Sequence, residues 1–315
     1  MEKLESAEKL LKEGRYQEAI KLCEEVRQSY PEEESVLLML AWAHYDNGAT
    51  KQAIECLETL LDRELQRKVF TGFAYDELVR IYKKEKNYAG LTEICERAVA
   101  AQPEDLGLLA ELGNAYFQAG KAKEALSAYK KLIGMEADNS AYHCFLGETL
   151  FACGRTKESE AAYLHAALLD QEQADRYHFK LAALFTKIDN HTEAKRILER
   201  CIALRPAKPV YHCCLGDALI GLGQYEKARA SYEMAVQYDK SRAGAYYNRL
   251  GNTLIKAKLF SQAAEAFQEA IKHDALQQYY LSLASVYNAM GLTDRAQETL
   301  NLINNTISKS KRYLC

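Results

Sequence analysis

Proline is scarce in this sequence, with 4 in 315 residues, and the 16 glycines are few for the length. A β-rich or loop-rich architecture needs more of both at its turns. No apolar run approaches the roughly 18 residues of a membrane span, and the opening MEKLESAEKLLKEG carries charge throughout in place of a secretory apolar stretch. A basic excess is also missing. The 41 Lys and Arg stand against 44 Asp and Glu, a formal charge of −3, which gives no push toward nucleic acid. Paired CxxC motifs and HExxH are absent, so the expectation is no metal, no cofactor and no catalysis. The 9 cysteines are scattered and odd in number, and they read as free thiols in a reducing cytoplasm.

What is present is apolar surface in quantity and a period. Hydrophobic residues make up 48% of the chain, enough for a sizeable core. Small or near-small residues recur at Ala7, Ala41, Val79, Gly113, Gly147, Ala182, Gly216, Gly251 and Ala284, in steps of 34, 38, 34, 34, 35, 34, 35 and 33. Leucine precedes eight of these nine anchors. Twelve residues after each comes a second small column, Ala19, Ala53, Ala125, Ser159, Ala194, Ala228, Ala263 and Ala296, with Leu91 as the exception. Seven residues after the anchor stand Gly14, Gly48, Gly120, Gly154, Gly223 and Gly291.

Each unit therefore reads as helix, glycine turn, helix. The small columns let two backbones approach, and Leu109, Leu112, Tyr116, Leu126, Tyr129 and Leu132 show helical spacing on both elements of one unit. Pro31, Pro103 and Pro206 share one position, 24 residues past the anchor, where they stop the second helix. LGNAYFQAGKAKEALSAYKKLI (112–133) and LGQYEKARASYEMAV (222–236) resemble the tetratricopeptide repeat family. The resemblance implies an all-α solenoid, a right-handed superhelix of antiparallel helix pairs. It predicts one array over 1–305, followed by a basic tail at 306–315. The lone Trp42 lies away from the family's usual Trp position, and four extra residues in 62–78 predict a local change of pitch. Both ends carry polar faces, as expected of a finished array.

The most chemical-looking stretch is VYHCCLGDAL (210–219). In repeat register His212 shares a column with His143, His178, Tyr247 and Tyr280, a position that accepts any flat ring with a polar edge. Equivalent helices lie about 8–10 Å apart, too far for three such histidines to share a zinc with bonds of about 2 Å. The column is expected to pack.

By the same resemblance, the first helices line a concave groove that takes an extended peptide or a partner segment. The inward register nominates Trp42, Tyr45, Arg80, Asn114, Phe117, Phe145, Glu148, Phe151, Arg176, Lys180, Asp217, Asn248, Arg249 and Asn252. The carboxylate-gripping set of some family members survives only as fragments, Asn248 with Asn252 and Arg176 with Lys180, which disfavours capture of a C-terminal tail. Mixed signs along the groove suit a peptide of alternating charge. The expected function is a cytoplasmic adaptor that binds another protein. The second reading is a scaffold that self-associates through an end or its convex face, assisted by SKSKRYLC (308–315) and Cys315.

Overall fold

A computed structural model describes residues 2–312, with side chains described for 3–303; the Cys315 expectation lies outside them. The described residues form 18 α-helices and no strand. They are α1 (Glu2–Lys12), α2 (Tyr16–Ser29), α3 (Glu34–Asp46), α4 (Thr50–Gln66), α5 (Phe73–Lys84), α6 (Tyr88–Ala101), α7 (Leu106–Gln118), α8 (Ala122–Met135) and α9 (Ser140–Ala152). There follow α10 (Thr156–Leu169), α11 (Ala174–Lys187), α12 (His191–Leu204), α13 (Pro209–Gly221), α14 (Tyr225–Tyr238), α15 (Ala243–Lys256), α16 (Phe260–His273), α17 (Gln277–Ala289) and α18 (Thr293–Arg312). Odd-numbered helices are the first of each pair (A) and even-numbered the second (B). The chain falls into two compact units, one running to Asp138 with 152–154, the other comprising Asn139–Phe151 and the chain from Arg155 onward.

The small columns lie where the pairs touch. Ala19, Ala53, Ala125, Ser159, Ala194, Ala228 and Ala263 are fully buried, and Ala296 nearly so. In the second unit the Ser159 hydroxyl donates to the Gly147 carbonyl at 2.6 Å, which fixes the approach of α9 and α10. Core leucines and aromatics fill the space around these columns, with Leu37, Leu57, Leu78 and Leu91 in the first unit and Leu181, Leu198, Tyr232 and Phe267 in the second.

All six turn glycines adopt positive φ, from 71° to 80°. Around each, backbone bonds close the end of the A helix: Gly120 donates to the Phe117 carbonyl at 3.1 Å and Lys121 to Tyr116 at 2.8 Å. The three units without glycine make the same turn. Lys86, Asp189 and Lys258 occupy the position at φ 54°, 55° and 60°, and bear the Cβ clash that glycine avoids.

Irregular steps in the period have local explanations. The two 35-residue steps coincide with short 3₁₀ turns at Gln171–Gln173 and Lys240–Arg242, each absorbing one extra residue. The insertion at 62–78 is shared between helix and loop: α4 runs 17 residues where most B helices have 14. Its loop is pinned by buried Glu64, which accepts from the Thr71 hydroxyl at 2.5 Å and the Thr71 N–H at 3.2 Å. The prolines stand just past the ends of α2, α6 and α12, as the sequence predicts, while Pro209 opens α13 at its first turn.

The turn geometry yields a test. Lys86→Gly and Lys258→Gly are each expected to stabilise by about 0.5–1 kcal/mol, strain relief outweighing the flexibility glycine adds to the unfolded chain. Gly120→Ala is expected to cost about 1 kcal/mol. Urea unfolding checks all three through the sign of the midpoint shift.

Candidate functional site

The nominated residues all lie on A helices. In the second unit they lie on α9, α11, α13 and α15, and contacts join neighbouring A helices. Phe151 meets Phe185 edge to face, with centroids 5.3 Å apart. Lys180 on α11 donates to the Cys144 thiol on α9 at 3.5 Å. From α15, Arg249 reaches α13, donating to Asp217 at 2.6 and 3.1 Å and to the Cys214 sulfur at 3.3 Å.

Asp217 is the hub of this face. Its Oδ1 accepts from the Tyr232 hydroxyl at 2.5 Å and from Thr253 at 2.8 Å, while Oδ2 takes the Arg249 guanidinium. Burial pushes the Tyr232 hydroxyl pKa up, so it remains a donor at every physiological pH. Asp217 is therefore committed to internal bonds. Beside it lies a cavity of about 370 Å³, lined by Thr186, His191, Asp217, Ile220, Thr253 and Lys256 among others.

The remaining charges are less occupied. Arg176 and Lys180 are exposed; Arg176 donates to neutral Gln173 at 3.0 Å. Lys187 and Lys256, in the same inward register, are exposed as well. Among the described residues none of these four is paired with a carboxylate, whereas Arg249 is. Glu148 is half-buried on α9, and Phe145, Phe151 and Asn248 are half-buried while Asn252 is exposed.

The first unit has its own A-helix face, of different character. Trp42 is 39% exposed and meets Phe73 edge-on at 6.3 Å. It lines an open hollow of about 490 Å³ with Glu8, Leu11, Lys12, Met39 and Asp46. Tyr45 is flanked by the Arg80 guanidinium at 5.0 Å and the Lys84 ammonium at 4.9 Å. Two of the three cations of α5 have carboxylate partners: Arg80 binds Glu77 at 2.6 Å and Lys83 binds Glu111 at 2.8 Å, while Lys84 is exposed over the Tyr45 ring. Asn114 accepts from Tyr129 at 2.8 Å, the counterpart of the Asp217–Tyr232 bond, so its carbonyl oxygen serves packing; Phe117 is half-buried nearby on α7.

The histidine column packs. His143, His178 and His212 are buried. His212 donates through Nε2 to the Pro206 carbonyl at 2.7 Å and stacks on Tyr238 at 5.3 Å. His143 meets the His165 ring at 4.3 Å, and Tyr247 in the same column stacks on His273 at 5.5 Å. Among the described residues no group of three His, Cys, Asp or Glu is placed to hold a metal ion. Burial pushes the thiols of Cys201 and Cys213 up to about 12, and those of Cys23 and Cys95 up to about 11, which keeps them protonated and poor nucleophiles.

Comparison with known proteins decides the family. Three models described as tetratricopeptide repeat match the chain: one residues 10–69, one 175–208, and a third 89–142, 110–177 and 215–300, more than half of the chain. The chain belongs to the tetratricopeptide repeat (TPR) family. The human protein O-mannosyl-transferase TMTC1 is 29% identical over 161 residues, 50% of this TPR chain and 18% of the relative. Two solved TPR structures share the fold. One, from Parabacteroides merdae, has a TM-score of 0.51 at 16% identity, covering 85% of this chain and 98% of that one. The other is the C-terminal part of a TPR repeat-containing protein from Cytophaga hutchinsonii, with a TM-score of 0.52 at 17% identity, covering 72% and 94%.

Several supports of the TPR face escaped the sequence reading. Thr253 donates to Asp217, the Cys214 sulfur accepts from Arg249, and Asp175 ties α11 to α13. Asp175 is 3% exposed and accepts from Lys208 at 2.6 Å and Tyr211 at 2.5 Å. Burial opposes its charge, but the Lys208 and Tyr211 bonds, with Arg205 nearby, hold its pKa below the ordinary 3.8. A carboxylate one position from the start of an A helix, facing Lys and Tyr one repeat later, was the available signal.

The sign of that shift fixes a pH dependence. A depressed carboxyl pKa contributes stability that is fully present above the unfolded value and lost as pH falls through the folded one. Asp175→Asn is expected to cost about 2–3 kcal/mol at pH 7. The gap between wild type and variant should close as pH falls below the ordinary 3.8, measured by urea unfolding across an acid pH series.

Proposed function

We propose that this TPR array is a non-catalytic scaffold of the cytoplasm whose second-unit A-helix face binds an extended segment of another protein. The observation that carries this reading is a set of exposed cations and amides, Arg176 and Lys180 on α11 with Asn252 and Lys256 on α15, beside half-buried Phe145 and Phe151 on α9. Apolar anchors fix a partner's side chains, and adjacent polar groups satisfy its backbone and charges. Phe145, Glu148, Asn248 and Arg249 belong to the same proposed surface. Trp42, Tyr45, Arg80, Asn114 and Phe117 form a separate proposed surface on the first unit.

Two facts support the absence of catalysis. The buried thiols are held protonated, and the most reactive-looking carboxylate of the face, Asp217, is occupied by Tyr232, Thr253 and Arg249. The transferase activity named for the human relative belongs to a protein of which this chain spans 18%. Eight described cysteines are free thiols, six of them buried, which fits a reducing compartment. No helix among the described residues is long and apolar enough to cross a membrane.

The test is a capture experiment with the full chain and source-cell lysate, comparing wild type with Arg176→Ala, Lys180→Ala and Asn252→Ala combined. These side chains are exposed, so the variant should keep wild-type helicity by circular dichroism. A partner retained by wild type and reduced at least tenfold by the variant supports the reading. Equal capture by both contradicts it. Recovery of only further copies of the chain, with mass rising with concentration in sedimentation, would establish the self-associating scaffold instead.

A further inference from the structure

We infer that the second-unit A-helix face recognises an acidic segment, one carrying Asp or Glu side chains between apolar residues. This deepens the scaffold reading and rests on it. The sequence register mixes signs, but the structure removes Asp217 from the balance by giving both its oxygens to internal donors. Arg249 is spent on the same pair. What remains outward is Arg176, Lys180, Lys187 and Lys256, all exposed and none paired with a carboxylate among the described residues, against half-buried Glu148 and the exposed Asp189 at the turn after α11.

The first unit supplies an internal contrast on the same scaffold. There Arg80 and Lys83 are matched by Glu77 and Glu111, and Lys84 is the one cation of α5 without a carboxylate partner among the described residues. Three unmatched cations on α11 and a fourth on α15, against Lys84 alone on α5, therefore distinguish the second unit, and their natural complement is a group of carboxylates. Four A helices at about 10 Å spacing span about 30 Å, which an extended chain covers in about nine residues at 3.3 Å each. Phe145 and Phe151 at one end supply apolar contact for the side chains between the acids. A protein segment suits this surface better than nucleic acid, because the whole chain carries a net charge of −3 and would repel a long polyanion.

Fluorescence anisotropy on the full chain tests the proposal with labelled peptides of about ten residues: a Glu/Leu/Ser probe, its Gln/Leu/Ser counterpart, and an oligouridylate of similar length. The acidic probe should bind about tenfold more tightly than the glutamine probe, and raising salt should erase that preference while leaving the glutamine probe little changed. Lys180→Glu with Lys256→Glu should abolish the preference. Lys157→Glu with Lys227→Glu, exposed on B helices α10 and α14, makes the same charge change and should alter binding less than twofold. The salt series needs no variant, so it reads the charge term even where a substitution perturbs folding.

Equal binding of the acidic and glutamine probes would overturn acidic recognition, as would equal weakening by the two charge-reversed pairs. Tighter binding of the oligouridylate would overturn it in favour of nucleic acid. Absence of binding to every probe overturns it too, and the lysate capture then reports separately whether the face binds protein at all.

Discussion

The contact on which the rest depends is between a glycine on an A helix and an aromatic ring on its B helix. A Cβ added at Gly113, Gly147, Gly216 or Gly251 would lie 2.6–2.8 Å from the ring of Tyr129, Tyr163, Tyr232 or Phe267, closer than carbon atoms tolerate. The ring stands sixteen residues past the anchor in each case. Where the anchor is alanine, as at Ala7, Ala41, Ala182 and Ala284, that partner is Cys23, Leu57, Leu198 or Leu300. Missing volume on one helix is filled from the other. Repeat three breaks both small columns with Val79 and Leu91, and there the close approach moves to Gly90 beneath the Tyr82 ring.

That packing also builds the site. Tyr232 fills the space left by Gly216, and its hydroxyl emerges at Asp217 on the A-helix face. Asp217 in turn orients Arg249 and Thr253 across to the next repeat. Asp175 does similar work between α11 and α13 through Lys208 and Tyr211. The rigid spacing of the face follows from rings and carboxylates whose other ends are buried. The exposed cations Arg176, Lys180, Lys187 and Lys256 stand on this frame with no carboxylate partner among the described residues.

Much of this was legible in the amino-acid order because the information is local and repeated nine times. The αL turn shows as Gly14, Gly48, Gly120, Gly154, Gly223 and Gly291; where Lys86, Asp189 and Lys258 replace glycine, the flanking columns still locate the turn. The histidine column was also readable, since a position that alternates His with Tyr asks for a ring. Asp217 was less so. Its place on the face follows from register, but its neutralisation depends on Tyr232, Thr253 and Arg249, up to 36 residues distant. Charge counted along a helix therefore overstated the acidity of the second-unit face. The coupling of Gly anchors to aromatic partners was present in the sequence too, visible only by comparing two columns jointly.

The most direct test of this packing account is a double-mutant cycle at Gly251 and Phe267, where the ring carries no hydroxyl to complicate it. Gly251→Ala alone is predicted to destabilise the chain by about 1–3 kcal/mol through overpacking. In a Phe267→Leu background, which reproduces the Ala182–Leu198 pairing, the same change should be neutral or stabilising, since alanine favours helix by about 1 kcal/mol over glycine. An equal cost of Gly251→Ala in both backgrounds would contradict the claim that ring and glycine specify one another.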